Sequence, residues 1–226
     1  MSIPLKVAIG VFGAGAASAG GAFVYKIFTK PTTHSIKDLL LVKNPEKRLI
    51  SKSENGSSAE WKAAWKLYAA AYKDYDSNPF SLALQKPTET PDGSQNAPAE
   101  FMNKCESLSK EHVFNVEDNK YKEVLKYCTR ATLVSDLILE NYPSKKILSK
   151  TEAGSTNGWK KAWSSYKTSN TDKTKDKDIW KLNDWNSQNG VDAPESFKNK
   201  CEEKVKVEAF ELSNEDYLNA VEWCTQ

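Results

Sequence analysis

The sequence predicts a mainly α-helical fold: an N-terminal transmembrane helix, then two tandem homologous small helical domains, each with one intradomain disulfide, and room for a minor β element. Three observations carry that reading. Residues 7–25 run from Val7 to Tyr25 without a charge. A stretch that begins at Ile36 is written again 98 residues later. Each copy also holds two cysteines at one spacing, Cys105 with Cys128 and Cys201 with Cys224. The boundaries that follow are 1–30 for an anchor or signal segment, 31–131 for the first repeat and 132–226 for the second.

The apolar stretch is VAIGVFGAGAASAGGAFVY, bounded by Lys6 and Lys26. As a helix rising about 1.5 Å per residue, it approaches the hydrocarbon thickness of a bilayer. A cleaved signal peptide is the competing reading, with Ala17-Ser18-Ala19 as its small-residue site. Tyr25 and Phe28 beside Lys26 and Lys30 suit the headgroup region and favour an uncleaved anchor. Small residues recur four apart at Gly13, Ala17 and Gly21, and at Gly10, Ala14, Ser18 and Ala22, a face through which two such helices can approach and form a homo-oligomer. No cysteine precedes Cys105, so a lipoprotein signal is not expected.

Of the 32 Lys and Arg residues, Lys6, Lys26 and Lys30 lie in or beside this segment, leaving 29 against 30 Asp and Glu from Pro31 onward. That near-neutral remainder has no basic block, which argues against nucleic-acid binding. The hydrophobic share of 39% is enough for packed cores.

Matching Ile36 to Val134 and continuing without a gap to Tyr68 and Tyr166 gives 15 identities in 33 positions. They include Asp38/Asp136, Ser51/Ser149, Lys52/Lys150, Gly56/Gly154, Trp61/Trp159, Trp65/Trp163 and Tyr68/Tyr166. After a variable middle the offset becomes 96, where APAEFMNKCE (97–106) meets APESFKNKCE (193–202). A period near a hundred residues is the size of a small domain rather than of a solenoid unit.

Equal spacing of the cysteines suggests an intradomain pair in each copy, worth about 3 kcal/mol of chain entropy if oxidised. Disulfides persist outside the reducing cytosol, so the pairing places residues 31–226 on the outer face of the membrane. The lysine count, one before the apolar segment and two after it, points the other way but rests on one residue. Reduced core cysteines are the alternative. A four-thiolate zinc site needs close pairs that the chain lacks.

Helix signals dominate each copy. Ser35 is placed to cap a short helix ending near Asn44-Pro45, and its counterpart is expected to start from Ser135. Trp61, Ala64, Trp65, Tyr68 and Tyr72 share one helical face, repeated by Trp159, Ala162, Trp163 and Tyr166; this stripe reads as core rather than as a ligand cradle. The second copy of that helix is expected to fail sooner, in residues 168–178. The middles, 73–96 and 167–192, read as loops with short ordered pieces. Pro98 and Pro194 open the first turn of a third helix, and the last helices run from Asn119 to Cys128 and from Ser213 or Asn214 to Cys224. Each disulfide is expected to join the early third helix to the end of the fourth. Residues 111–116 and 204–212 alternate apolar and polar side chains, as a small strand pair would.

Catalysis finds little footing. The chain has two histidines, His34 and His112, neither with a counterpart in the other copy. Phosphate-loop, HExxH, GxSxG and dinucleotide glycine patterns are absent, so no catalytic residue, cofactor or metal is assigned. The matched acids Asp38/Asp136, Glu54/Glu152 and Glu106/Glu202 fit caps and solvated faces. Asn55-Gly56-Ser57 fits an N-glycosylation sequon, a tripeptide common by chance.

The Gly/Ala-rich N-terminal segment, Leu148-Ser149-Lys150, WKKAW (159–163), IWKLNDW (179–185), APESFKNKC (193–201) and the endings Tyr127-Cys128-Thr129 and Trp223-Cys224-Thr225 resemble the paralogous membrane and surface proteins of hemotropic mycoplasmas. The resemblance covers nearly the whole chain. It implies a wall-less bacterium with a single membrane, and no established biochemical activity. It departs in the first copy, where Leu82, Leu84 and Pro87 stand in place of the IWKLNDW aromatics. The expected role is that of a single-pass surface protein in the cell membrane, contacting host molecules or displaying variable loops without catalysis. The alternative is a structural or assembly role among sibling surface proteins.

Overall fold

Eight α-helices and four very short strands organise the described part of the computed structural model, which comprises residues 33–84, 92–187 and 189–226. The first half contains β1 (His34–Ser35), α1 (Ile36–Lys43), β2 (Lys47–Leu49), α2 (Ala59–Tyr72), α3 (Ala99–Lys110), β3 (His112–Val113), α4 (Asn119–Tyr127) and β4 (Thr129–Ala131). The second contains α5 (Val134–Asn141), α6 (Asn157–Ser169), a 3-10 turn (Trp185–Ser187), α7 (Glu195–Lys204) and α8 (Glu215–Trp223). The proposed span at residues 7–25 lies outside the described residues. Among the described residues no helix is long and apolar enough to cross a membrane.

The helices of the two halves begin at matching positions, α1 and α2 at the offset of 98, α3 and α4 at 96. The strand pairing repeats too. β1 runs antiparallel to β3 with Ser35 opposite His112, and Leu133 bridges Glu208 at the corresponding place. β2 runs antiparallel to β4 with Leu49 opposite Thr129, and Ile147 bridges Thr225. The strand tendency of residues 111–116 is therefore answered by the entry to the first helix of the same half.

Local chemistry explains most helix ends. The Ser35 hydroxyl accepts the Asp38 N–H at 3.2 Å, and the Asn214 side chain accepts the Tyr217 N–H at 3.1 Å. Ser135 is not a cap: α5 starts one residue earlier, and the Asp136 carboxylate reaches back to the Leu133 N–H at 2.8 Å. Leu133 has no side-chain oxygen, so its main-chain carbonyl accepts the Asp136 N–H at 3.0 Å, and the Asp136 carboxylate supplies the reciprocal bond of a capping box. Pro98 and Pro194 stand at the N-cap rather than inside the first turn, in extended conformation. In the second copy α6 ends one residue sooner than α2, at Ser169.

Each half buries its own hydrophobic cluster, one drawn from residues 36–128 and the other from residues 134–224. Both disulfides are formed within a half, Cys105 to Cys128 and Cys201 to Cys224. They join the middle of α3 and the later part of α7, rather than the helix starts, to the residue that caps α4 or α8. The difference follows from the helix bounds, since Cys105 and Cys201 are each the seventh residue of their helix; beside the bridges the Ile50 and Leu148 N–H groups donate to the Cys128 and Cys224 carbonyls at 3.0 and 2.9 Å.

The shared glycines have a steric cause. The Ala97 N–H donates to the Gly56 carbonyl at 2.8 Å, and Ala193 to Gly154 at 3.0 Å. A Cβ at Gly56 or Gly154 would stand 2.2 or 2.1 Å from the oxygen of that alanine. This contact clamps the loop before α2 or α6 to the entry of α3 or α7, which is why Gly56/Gly154 and the Ala-Pro pairs recur together.

The halves meet through residues 129–133. Arg48 of β2 grips Glu140 of α5 with two bonds, 2.7 and 2.8 Å, and donates to the Thr132 hydroxyl at 3.1 Å. Thr132, almost fully buried, donates through its N–H to Glu46 and through its hydroxyl to Pro45. Arg130 holds Asp136 at 2.6 and 2.9 Å. Burial alone would raise the Asp136 carboxyl. Hydrogen bonds from Arg130 and the Leu133 N–H, with the charges of Arg130 and Arg48, outweigh it and hold the group below the usual carboxylate range.

Two predictions follow from these contacts. Gly154→Ala, which has no room for its methyl group, lowers stability by about 1–3 kcal/mol in denaturant titration; an unchanged midpoint would mean the clamp yields freely. For Asp136, the folded pKa lies below the unfolded value near 3.9, so its stabilisation is complete above that pH and fades as pH falls through the folded value. The neutral-pH deficit of Asp136→Asn, about 1 kcal/mol for a partly exposed pair, therefore narrows in acid, and a deficit constant with pH would refute the assignment.

Candidate functional site

The predicted aromatic stripe forms the centre of each core. Trp61, Tyr68, Trp159, Trp163 and Tyr166 are buried, and Trp65 is half-buried. The indole N–H groups of Trp61 and Trp159 donate to the main-chain carbonyls of Ser51 and Ser149 at 3.0 and 3.1 Å, while the hydroxyls of those serines accept the N–H of Ser53 and Thr151 at 3.2 and 3.4 Å. The adjoining Lys52 and Lys150 pair with Glu106 and Glu202 at 2.7 and 3.2 Å, beside each disulfide. Hydrogen bonds and charge from Lys110 and Lys52 pull the Glu106 carboxyl down to about 2.

Tyr68 and Tyr166 are the hubs. The Tyr68 ring packs on Trp65, Tyr72, Phe80, Phe101 and Tyr127, with centroids 4.5–6.2 Å apart. Tyr166 meets Trp163, Trp180, Trp185, Phe197 and Trp223 at 4.9–5.7 Å. Their hydroxyls complete a second repeated device. Tyr68 donates to Asn78 Oδ1 at 2.5 Å and accepts the Phe80 N–H at 3.0 Å. Tyr166 donates to Asp178 Oδ2 at 2.5 Å and accepts the Trp180 N–H at 3.1 Å. The same Asn or Asp oxygen then accepts the N–H of Leu82 or Leu182. Burial pushes the Tyr68 phenol up to about 12 and that of Tyr166 higher still, the Asp178 bond adding to the second shift.

This device lies inside the middles that read as divergent loops. Residues 78–82 and 178–182 share the pattern Asn/Asp, any residue, aromatic, any residue, Leu at an offset of 100, and the fourth residue of each, Ser81 or Lys181, has a positive φ of 53° or 52°. Only Leu82/Leu182 is identical, and the offset belongs to neither flanking block, so identity alone concealed it. Trp180 and Trp185 are core residues; the departure of the first copy at these rings changes packing and not a shared surface. Trp185 lies edge-on to Trp163 at 5.9 Å, and the Trp163 indole donates to the Gly190 carbonyl at 3.2 Å, so Trp163 is sealed where Trp65 is not.

Few other chemistry-bearing side chains converge among the described residues. His34 and His112 meet in the β1–β3 ladder, but His34 opposes Val113 and Ser35 opposes His112, so the two imidazoles point to opposite faces. Among the described residues no group of three His, Cys, Asp or Glu side chains could hold a metal ion. A cleft of about 100 Å³ lies between Ile50, Trp61, Met102 and the first disulfide, rimmed by Lys52 and Glu106. Its counterpart, rimmed by Lys150 and Glu202, is a wider opening of about 510 Å³. Two phenylalanines, Phe114 and Phe210, stand exposed at the same place in each half. Tyr75, Ile179 and Val191, also exposed, belong to the middles and differ between the halves.

No family model, curated protein or solved structure matches the chain.

The hub bonds are testable. Tyr166→Phe strips buried Asp178 and the Trp180 N–H of a partner and costs about 2–3 kcal/mol by denaturant titration. Tyr68→Phe costs less, because Asn78 is only half-buried. Equal losses in the two halves would count against this assignment.

Proposed function

We propose that the chain is a single-pass membrane-anchored surface protein. In this reading residues 1–30 carry the anchor, and residues 31–131 and 132–226 form two tandem homologous domains outside the cell. It acts by contact, binding host molecules or displaying variable loops, and not by catalysis. The observation that carries the reading is the repetition of one disulfide-closed aromatic core. Bridged cysteines in both halves suit an oxidising exterior. The parts of the middles outside the hub device, 73–77 with 92–96 and 167–177 with 186–187 and 189–192, differ in sequence; buried Asn170, and Asp172, Lys173 and Gly190 beside Trp185 and Trp163, belong to the core, while most of the others are exposed and can change without touching it. The likeness to the paralogous proteins of hemotropic mycoplasmas agrees with this role.

A second reading, assembly with sibling surface proteins, is favoured by Phe114 and Phe210. A large apolar ring kept exposed at the same place in both copies suits contact with a recurring protein partner.

Protease shaving of intact cells is expected to remove residues 31–226 and leave the anchor; complete protection would reverse the topology. Pull-down from host membranes or plasma is expected to capture a host molecule, whereas recovery of sibling proteins alone would replace host contact with assembly.

A further inference from the structure

The geometry points to Asn55 as a site of spontaneous, self-assisted deamidation, a chemical clock built into the loop before α2 of the first half. Asn55 is exposed and is followed by Gly56, whose lack of a side chain leaves its backbone nitrogen unhindered. The Asn55 Oδ1 atom accepts the Ser57 N–H at 2.9 Å and also the Ser57 hydroxyl. Those bonds fold the side-chain amide back over its own main chain, as in an Asx turn. They also set two donors on the oxygen that gains negative charge when the amide carbon is attacked.

The reaction needs only water. The Gly56 nitrogen loses its proton to solvent and bonds to Asn55 Cγ, and Oδ1 becomes the oxyanion held by Ser57. Nδ2 takes a proton from solvent, and collapse of the oxyanion breaks the Cγ–Nδ2 bond and expels ammonia, leaving a succinimide. Water then opens the ring at either carbonyl to give aspartate or isoaspartate. Either product adds a negative charge beside Glu54. The isoaspartate also lengthens the main chain next to the Gly56 carbonyl, which holds the Ala97 N–H. Only the first half carries this clock, since Ala153 occupies the equivalent position.

Two further Asn-Gly pairs serve as internal controls. Asn157-Gly158 lies in the first turn of α6, where ring closure requires unwinding the helix. Asn189-Gly190 is followed by Val191, which has no hydroxyl to donate. The full chain, oxidised and held in detergent at neutral pH and physiological temperature, is sampled over time by peptide mapping that separates aspartate from isoaspartate. Conversion is expected first at Asn55. Ser57→Ala is expected to slow it about threefold, the factor that one exposed neutral hydrogen bond carries. An Asn55 that stays amidated while Asn189 converts overturns the proposal, as does a Ser57→Ala rate equal to that of the parent.

Discussion

One buried tyrosine in each half holds the arrangement together. Tyr68 and Tyr166 each touch rings from the third and fourth helices of their half and from the middle segment, while their own helix supplies the remaining neighbours. Aromatic burial alone would leave a phenol in an apolar core, a costly state unless its oxygen finds partners. The Asn78 or Asp178 side chain and the Phe80 or Trp180 N–H meet that need. The requirement converts a variable stretch of chain into a tied one: the middle must deliver an acceptor, an aromatic and a leucine at fixed spacing.

The other restraints act around this hub. The disulfide fixes the cap of the last helix to the third, the glycine clamp fixes the loop before the second helix to the start of the third, and the short ladders close the remaining edge. Because β4 passes into α5 within three residues, the ladder that ends the first half also starts the second. Arg48 and Arg130, each gripping a carboxylate of α5, make that passage a charged and partly buried hinge point rather than a loose linker.

A scaffold of this kind separates what must be kept from what is free to vary. The hub, clamp and disulfide use backbone groups and a handful of side chains. The residues that differ between halves lie largely outside those contacts, and exposed apolar side chains such as Tyr75 and Val191 are among them. Such a division is what the contact role proposed above requires, a constant core that presents a changeable surface. Asn55 adds a time-dependent charge to that surface on one half alone.

Much of this was legible in the chain itself. Helical spacing put Trp61, Trp65 and Tyr68 on one face because that period is local, while the 98- and 96-residue offsets matched the halves and equal spacing paired the cysteines because a repeat shows on aligning the chain with itself. Two features were missed, the first a local pairing three residues apart and the second decided only by folding. The start of α5 depends on the Asp136 carboxylate accepting the Leu133 N–H while the Leu133 carbonyl accepts the Asp136 N–H. The middles enter the core because a tyrosine hydroxyl, distant in sequence, needs an Asn or Asp there. Residues that meet across ten or twelve positions, as Tyr68 meets Asn78 and Tyr166 meets Asp178, leave no periodic trace, so their pairing emerges only when the tertiary structure brings the unsatisfied groups together.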